Sequence, residues 1–196
     1  MNKAEASAQI TPGSPKRADA RRNHERVLAA AREAFAEGGE STALEEIARR
    51  AGVGIGTVYR HFPNRQALLE ALYVNEVEEI CRSAAQLNDA DPWQALTDWL
   101  ERVVDYLAAK RALADQLLNY LDADAPLFKE CRAGLFEAGE PLVKRAQDAG
   151  VVRPDVDFSD VLHMVAGITK MPANEPGQIE HVLQVALDGL RYRPQP

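Results

Sequence analysis

The stretch LEEIARRAGVGIGTVYRHFPNRQALLEAL, from Leu44 to Leu72, decides the fold. Leu44, Ile47, Ala48 and Ala51 recur at helical spacing and form one short apolar stripe. Gly52 ends that helix after about two turns, because only glycine adopts a positive backbone angle at little cost. Val53-Gly54 makes the turn, and a further short helix runs from about Ile55 to His61, with Val58 and Phe62 facing inward. Pro63-Asn64 breaks the chain again, and Asn64 is placed to cap a long helix. Leu69, Leu72, Tyr73, Val77, Ile80, Cys81 and Ala84 mark the buried side of that helix, which should run to about Leu87. Two short helices, a glycine-bearing turn and a longer helix are the grammar of a helix-turn-helix.

The residues left outward on the second short helix suit a nucleic acid. They are Ile55, Gly56, Thr57, Tyr59, Arg60 and His61, small or hydrogen-bonding types with no acid among them. The N-terminal side chains of a helix in the major groove meet base edges. Gly56 permits close approach, Thr57 can meet a base or a phosphate, and Tyr59 and His61 can donate to phosphates. Arg65 adds a positive charge at the start of the next helix, beside amides that favour an anion. The alternative for Tyr59 is a place in the core, and for Arg60 a solvated surface.

Upstream, Val27, Leu28, Ala31, Ala34 and Phe35 form the stripe of a first helix that Gly38-Gly39 stops. Ser41 or Thr42 offers an N-cap for the next helix, with Glu45 or Glu46 as its capping-box partner. Residues 1–18 are rich in Ala, Ser, Pro and Gly, carry no period, and read as a disordered arm. Its basic end (Lys16, Arg17, Arg21, Arg22) can lie along phosphates or serve only as a solubilising tail.

Downstream, the chain continues as helices. Asp91-Pro92 is an N-cap with a first-turn proline. Leu96, Trp99, Leu100, Val103, Tyr106 and Leu107 give the next stripe. Further helices are expected around Leu113–Leu121, from Pro126 to about Ala149, and from Asp157 or Ser159. A loop at Met171–Gly177 precedes a last helix bearing Ile179, Val182, Leu183, Ala186, Leu187 and Leu190. No segment reads as a strand and no internal repeat is present. The expected class is all-α with about nine helices. Three regions follow: 1–18 as the arm, 19–66 as the helix-turn-helix domain, and 67–196 as a helical dimerisation and effector-binding domain.

Bulk properties bound the function. Apolar residues make up 46% of 196, ordinary for a soluble globular chain. No run approaches the ~20 apolar residues of a membrane span, and Met1–Ile10 lacks the apolar core of a secretory signal, so a cytoplasmic location is expected. Cys81 and Cys131 form no CxxC and read as reduced thiols. Residues 1–65 carry 11 Lys/Arg against 8 Asp/Glu, and residues 66–196 carry 12 against 22; balances of +3 and −10 give the chain's −7. That asymmetry suits a protein that touches DNA with one end.

The segment IARRAGVGIGTVYRHFPNRQALL resembles the tetracycline-repressor (TetR) family of bacterial regulators, most specifically in its GTVYRHF core. The likeness is continuous from about Arg26 to Leu72. It departs from the family pattern at Gly54, where a serine is usual, and at Arg65-Gln66, where a lysine-glutamate pair is common. The missing hydroxyl at Gly54 weakens helix capping or a phosphate contact, whereas Arg65 keeps the charge. The resemblance implies phosphate contacts from Thr42, Tyr59, His61 and Arg65, and base-edge contacts from around Ile55, Gly56 and Thr57, with Arg60 as a further contact. The stretch AGVVRPDVDFSDVLHMVAGI, Ala149–Ile168, resembles the C-terminal domain of an SbtR-like subgroup.

The resemblance implies a homodimer on a palindromic double-stranded operator, acting as a repressor that a small-molecule effector releases. The apolar faces of the last two helices would pair across such a dimer, or else pack within one chain. An effector pocket is plausible among Tyr73, Trp99, Tyr106, Tyr120, Phe128, Phe136, His163 and Met164, residues that equally make ordinary core. His163, on a largely apolar helix, reads as a satisfied interface residue.

An enzyme is the first rival, but His24, His61, His163 and His181 are scattered without metal spacing. No nucleophile motif or phosphate-cradling loop appears, so neither a cofactor nor a metal is expected. A helical scaffold is the second rival, and it leaves the Thr57/Tyr59/His61/Arg65 cluster unexplained.

Overall fold

The computed structural model describes residues 15–172 and 175–192, whose regular elements are helices. Eight α-helices and one 3-10 turn occur among the described residues: α1 (Pro15–Gly38), the 3-10 turn (Gly39–Ser41), α2 (Leu44–Ala51), α3 (Ile55–His61), α4 (Arg65–Ala85), α5 (Pro92–Leu117), α6 (Pro126–Asp148), α7 (Phe158–Ile168) and α8 (Gln178–Leu190). The only β-type pairing among them is an isolated bridge between Val152 and Arg191. Residues 1–14 of the expected arm lie outside the described residues, while residues 15–18 are already helical. Proline suits a first helical turn, where its missing N–H has no intrahelical partner to lose. The chain divides into two compact units, Met1–Asn64 and Arg65–Pro196.

In the first unit α1 carries the platform. Val27, Leu28, Ala31, Ala34 and Phe35 are all buried, as the periodicity predicts. Ile47, Ala48 and Ala51 of α2, and Val58 and Phe62 at α3, complete this core. Arg50 of α2 ties back to Glu37 of α1 at 2.7 Å.

The expected capping of α2 is corrected. Its N-cap is Ala43, with no side-chain hydrogen bond. Ser41 Oγ donates instead to the Gly38 carbonyl at 2.7 Å, and the Thr42 hydroxyl donates to the Ala34 carbonyl at 2.9 Å. The Gly38 carbonyl lacks a partner within its own helix and takes the Ser41 hydroxyl, while the Ala34 carbonyl takes the Thr42 hydroxyl. Glu46, expected as a capping-box partner, accepts from Arg49 and Arg50 one turn on.

The second unit is a helical layer structure in which α4, α5 and α6 pack on one another and α7 covers α5 and α6. Asp91 accepts from the Gln94 amide at 3.0 Å and Pro92 opens α5, as expected. One expectation fails here. The helix predicted at Leu113–Leu121 is the end of α5, which runs unbroken to Leu117. Ala108 to Ala114 contains only good helix formers and no breaker, so nothing ends the helix at Leu107.

Trp99 is fully buried and donates to the Ile80 carbonyl of α4 at 3.0 Å. Gly139 lets α6 approach α7: a Cβ there would stand 2.2 Å from Phe158 Cζ and 2.8 Å from Trp99 Cη2. Asp157 caps α7 through a full capping box with Asp160. Arg145 on α6 donates to the Leu87 and Asn88 carbonyls, holding the α4–α5 connection. Cys131 is buried and Cys81 half-buried; both are free, and burial pushes both thiols upward. None of the described helices is long and apolar enough to cross a membrane.

Candidate nucleic-acid interface

The geometry of the turn places the second short helix. Gly52 adopts φ +63° at the end of α2, and its amide and that of Val53 close onto the last carbonyls of α2. Gly54 is the N-cap of α3, with no side chain to bond the free amides; the Thr57 amide reaches the Gly54 carbonyl at 2.8 Å. The serine hydroxyl usual at this position is thus absent.

Val58 is fully buried and Phe62 nearly so, and these two fix the rotation of α3. What remains outward is the predicted set. Ile55 and Tyr59 are 36% and 47% exposed, Gly56 and Arg60 are exposed, and Thr57 and His61 are half-buried. The structure therefore brings Ile55, Gly56, Thr57, Tyr59, Arg60 and His61 onto one short helix and removes Tyr59 from the core.

Gly56 is informative because the fold does not need it. A Cβ at Gly56 would meet nothing within 4 Å, and its φ is not positive. Glycine inside a helix costs about 0.5–1 kcal/mol relative to alanine. A residue that weakens the helix and serves no internal contact points to close approach by something outside.

His61 is held from behind. Its ring lies edge-on to His24 of α1 at 5.7 Å, and His24 in turn packs 4.9 Å from the Phe62 ring. Burial, and then the neighbouring His61, lower the His24 pKa. His24, which sequence reading treated only as a scattered histidine, thus packs against both rings.

Thr42 and Arg65 lie outside α3. Thr42 is buried, and its hydroxyl hydrogen is directed to Ala34, leaving none to donate to a phosphate. Arg65 opens the second unit, where its guanidinium donates to the Gln116 side chain of α5 at 2.9 Å.

The expected effector residues separate into two groups. Tyr73, Phe128, Phe136 and His163 line one cavity of about 590 Å3 inside the second unit. Trp99, Tyr106, Tyr120 and Met164 are not part of its lining. Trp99 and Tyr106 are buried in the core, whereas Tyr120 lies beyond the end of α5 and is 46% exposed. Met164 is half-buried on α7. Sequence reading missed Lys110 and Arg132 in the same lining. The available signal was Lys110 itself, one turn beyond Tyr106 on the apolar side of α5. His163 is exposed in the single chain and lies 3.3 Å from the Ser159 hydroxyl.

Comparison with known proteins agrees with this architecture. Residues 27–72 match the family described as bacterial regulatory proteins, tetR family, and residues 91–192 match the SbtR-like transcriptional regulator C-terminal domain. The crystal structure of the TetR transcriptional regulator SCO0520 from Streptomyces coelicolor is 38% identical. It superposes with a TM-score of 0.78 over 87% of this chain and 99% of that one. A TetR transcription regulatory protein from Mycobacterium vanbaalenii is also 38% identical, with a TM-score of 0.77 over 91% of this chain and 100% of that one. The HTH-type transcriptional regulatory protein RaaS of Mycobacterium tuberculosis is 30% identical over 135 residues, 68% of this chain. The match spans 61% of the length of RaaS. With both regions matched and the fold shared over 87% and 91% of this chain in those two structures, the chain belongs to the TetR family of bacterial transcriptional regulators, in the group with an SbtR-like C-terminal domain.

Proposed function

We propose that the chain acts as a homodimeric, sequence-specific DNA-binding repressor in the cytoplasm, with residues 15–64 reading DNA and residues 65–192 pairing the subunits and taking an effector. Two copies of α3 dock in successive major grooves of a palindromic operator, since a helix-turn-helix reader gains affinity from two half-sites. The outward face of α3 carries this reading, above all the cost-bearing Gly56 beside exposed Tyr59 and Arg60. Tyr59, His61 and Arg60 contact phosphates, and Ile55, Gly56 and Thr57 meet base edges. Thr42 holds the end of α1, and Arg65 anchors α4 through Gln116. Pairing through α7 and α8 is supported by Val185, 60% exposed on α8, and by half-buried Ile179 and Val182. A small molecule that favours a different spacing of the two α3 helices releases the operator by population shift.

The test is binding of the full chain to its own upstream DNA at low and physiological salt, beside Tyr59→Ala. The reading expects specific binding that weakens steeply with salt, and more so in the variant. Failure to select any sequence from a random DNA pool would favour a helical scaffold instead.

A further inference from the structure

The 590 Å3 cavity of the second unit has a one-sided charge. Lys110 of α5, Arg132 of α6 and Lys170 beyond α7 line it, with His163, and no carboxylate lines it among the described residues. Its walls are apolar and aromatic, including Tyr73, Phe128, Leu135 and Phe136.

Lys110 is the unusual member. Its ammonium is half-buried and lies 5.0 Å from the centre of the Tyr73 ring and 5.2 Å from that of Tyr106. Two ring faces hold the cation in place, but they do not neutralise it. Burial lowers the Lys110 pKa, as expected of an ammonium that has lost water without gaining a carboxylate. Keeping such a group half-buried is costly unless something anionic completes it.

A second cavity, of about 570 Å3 between α4 and α6, has the opposite character. Glu78, Glu130 and Glu137 line it together with Cys81 and Cys131. The two sites share α4 and α6, so the contrast in charge belongs to the individual side chains.

We propose that the cavity at Lys110 binds an amphipathic organic anion, a carboxylate on an apolar body of roughly drug-fragment size. The carboxylate pairs with Lys110 and Arg132, and the body lies against Phe128, Leu135 and Phe136. Charge-assisted hydrogen bonds fix the head, and the apolar walls take the rest. This deepens the reading of the C-terminal unit as the effector site and rests on it.

The test reads ligand binding on the full chain without DNA, so its failure is separate from failure to bind an operator. Thermal shift and calorimetry compare decanoate and 4-phenylbutyrate with the matching alcohols, decan-1-ol and 4-phenylbutan-1-ol. At least one carboxylate should bind with a dose-dependent shift, and its alcohol should bind about tenfold or more weakly. Lys110→Met, which keeps an apolar stem, should weaken the carboxylate by about tenfold or more and leave the alcohol unchanged. Arg132→Gln, at an exposed position, carries the same comparison should Lys110→Met fail to fold. Glu137→Gln, in the acidic cavity, should change nothing. Binding of neither carboxylate, equal binding of acid and alcohol, or carboxylate binding indifferent to both cation variants would each overturn the proposal.

Discussion

Arg26 of α1 and Gly52 after α2 meet across the helix-turn-helix. The Arg26 guanidinium donates to the Gly52 carbonyl at 3.4 Å, and a Cβ on Gly52 would stand 2.6 Å from its Nη2. The guanidinium is the far end of a flexible side chain and can move aside. The backbone cannot, because Gly52 sits at φ +63°. Gly52→Ala should therefore cost the first unit about 1–2 kcal/mol, the penalty of a left-handed residue with a Cβ. Hydrogen exchange of the α2 amides should show it as a fall in protection of roughly five- to thirty-fold. Arg26→Ala should change little, and equal effects from the two variants would place the strain in the side-chain contact instead.

Acid should weaken the ion pairs of α2 in a defined window. Hydrogen bonds from Arg49 and then Arg50 hold the Glu46 carboxyl down to about 2, against an ordinary 4.5. Arg50 holds Glu37 low as well. Because the folded-state value is depressed, the unfolded chain takes up the proton first as pH falls. The contribution is whole above about 4.5 and is lost by about 2. These groups are solvent-exposed, so the effect is shallow and salt screens it. Melting temperatures measured from pH 5 to pH 2 should fall less steeply in Glu46→Gln than in the parent. Parallel curves would remove Glu46 from the account.

Close packing of α6 on α7 depends on the missing side chain at Gly139. Phe158 is a buried ring rather than a flexible tip, and Trp99 closes the other side. Gly139→Ala should destabilise the second unit by about 1–3 kcal/mol, as overpacked cores do. Thermal unfolding followed by tryptophan fluorescence reads this directly. An unchanged transition would mean that α6 and α7 have room the geometry denies.

Much of this was legible in the sequence because it is local. Gly52, Asp91-Pro92 and Asp157 act on backbone within a turn of themselves, and the structure uses each as its chemistry predicts. The stripes of α1 and α5 were legible because a 3.6-residue period needs no knowledge of what covers it. The rest depended on partners distant in the chain. Thr42 has the composition of an N-cap, yet the 3-10 turn carries it back to Ala34, eight residues upstream. The end of α5 was invisible because Leu113 and Leu117 continue a stripe that an assumed break had interrupted. Trp99 and Phe136 look alike as large apolar residues, and only the packing of α4 through α7 makes one core and the other a cavity wall.

The most direct test of α3 as the DNA-reading helix is Gly56→Ala, with stability and operator affinity measured on one preparation. A Cβ at Gly56 meets open space, so alanine should stabilise the helix by about 0.5–1 kcal/mol. The same methyl should lower affinity for the operator, because it stands where the DNA must approach. A more stable protein with weaker operator binding is the predicted result. A more stable protein that binds its operator as tightly as before would contradict the account.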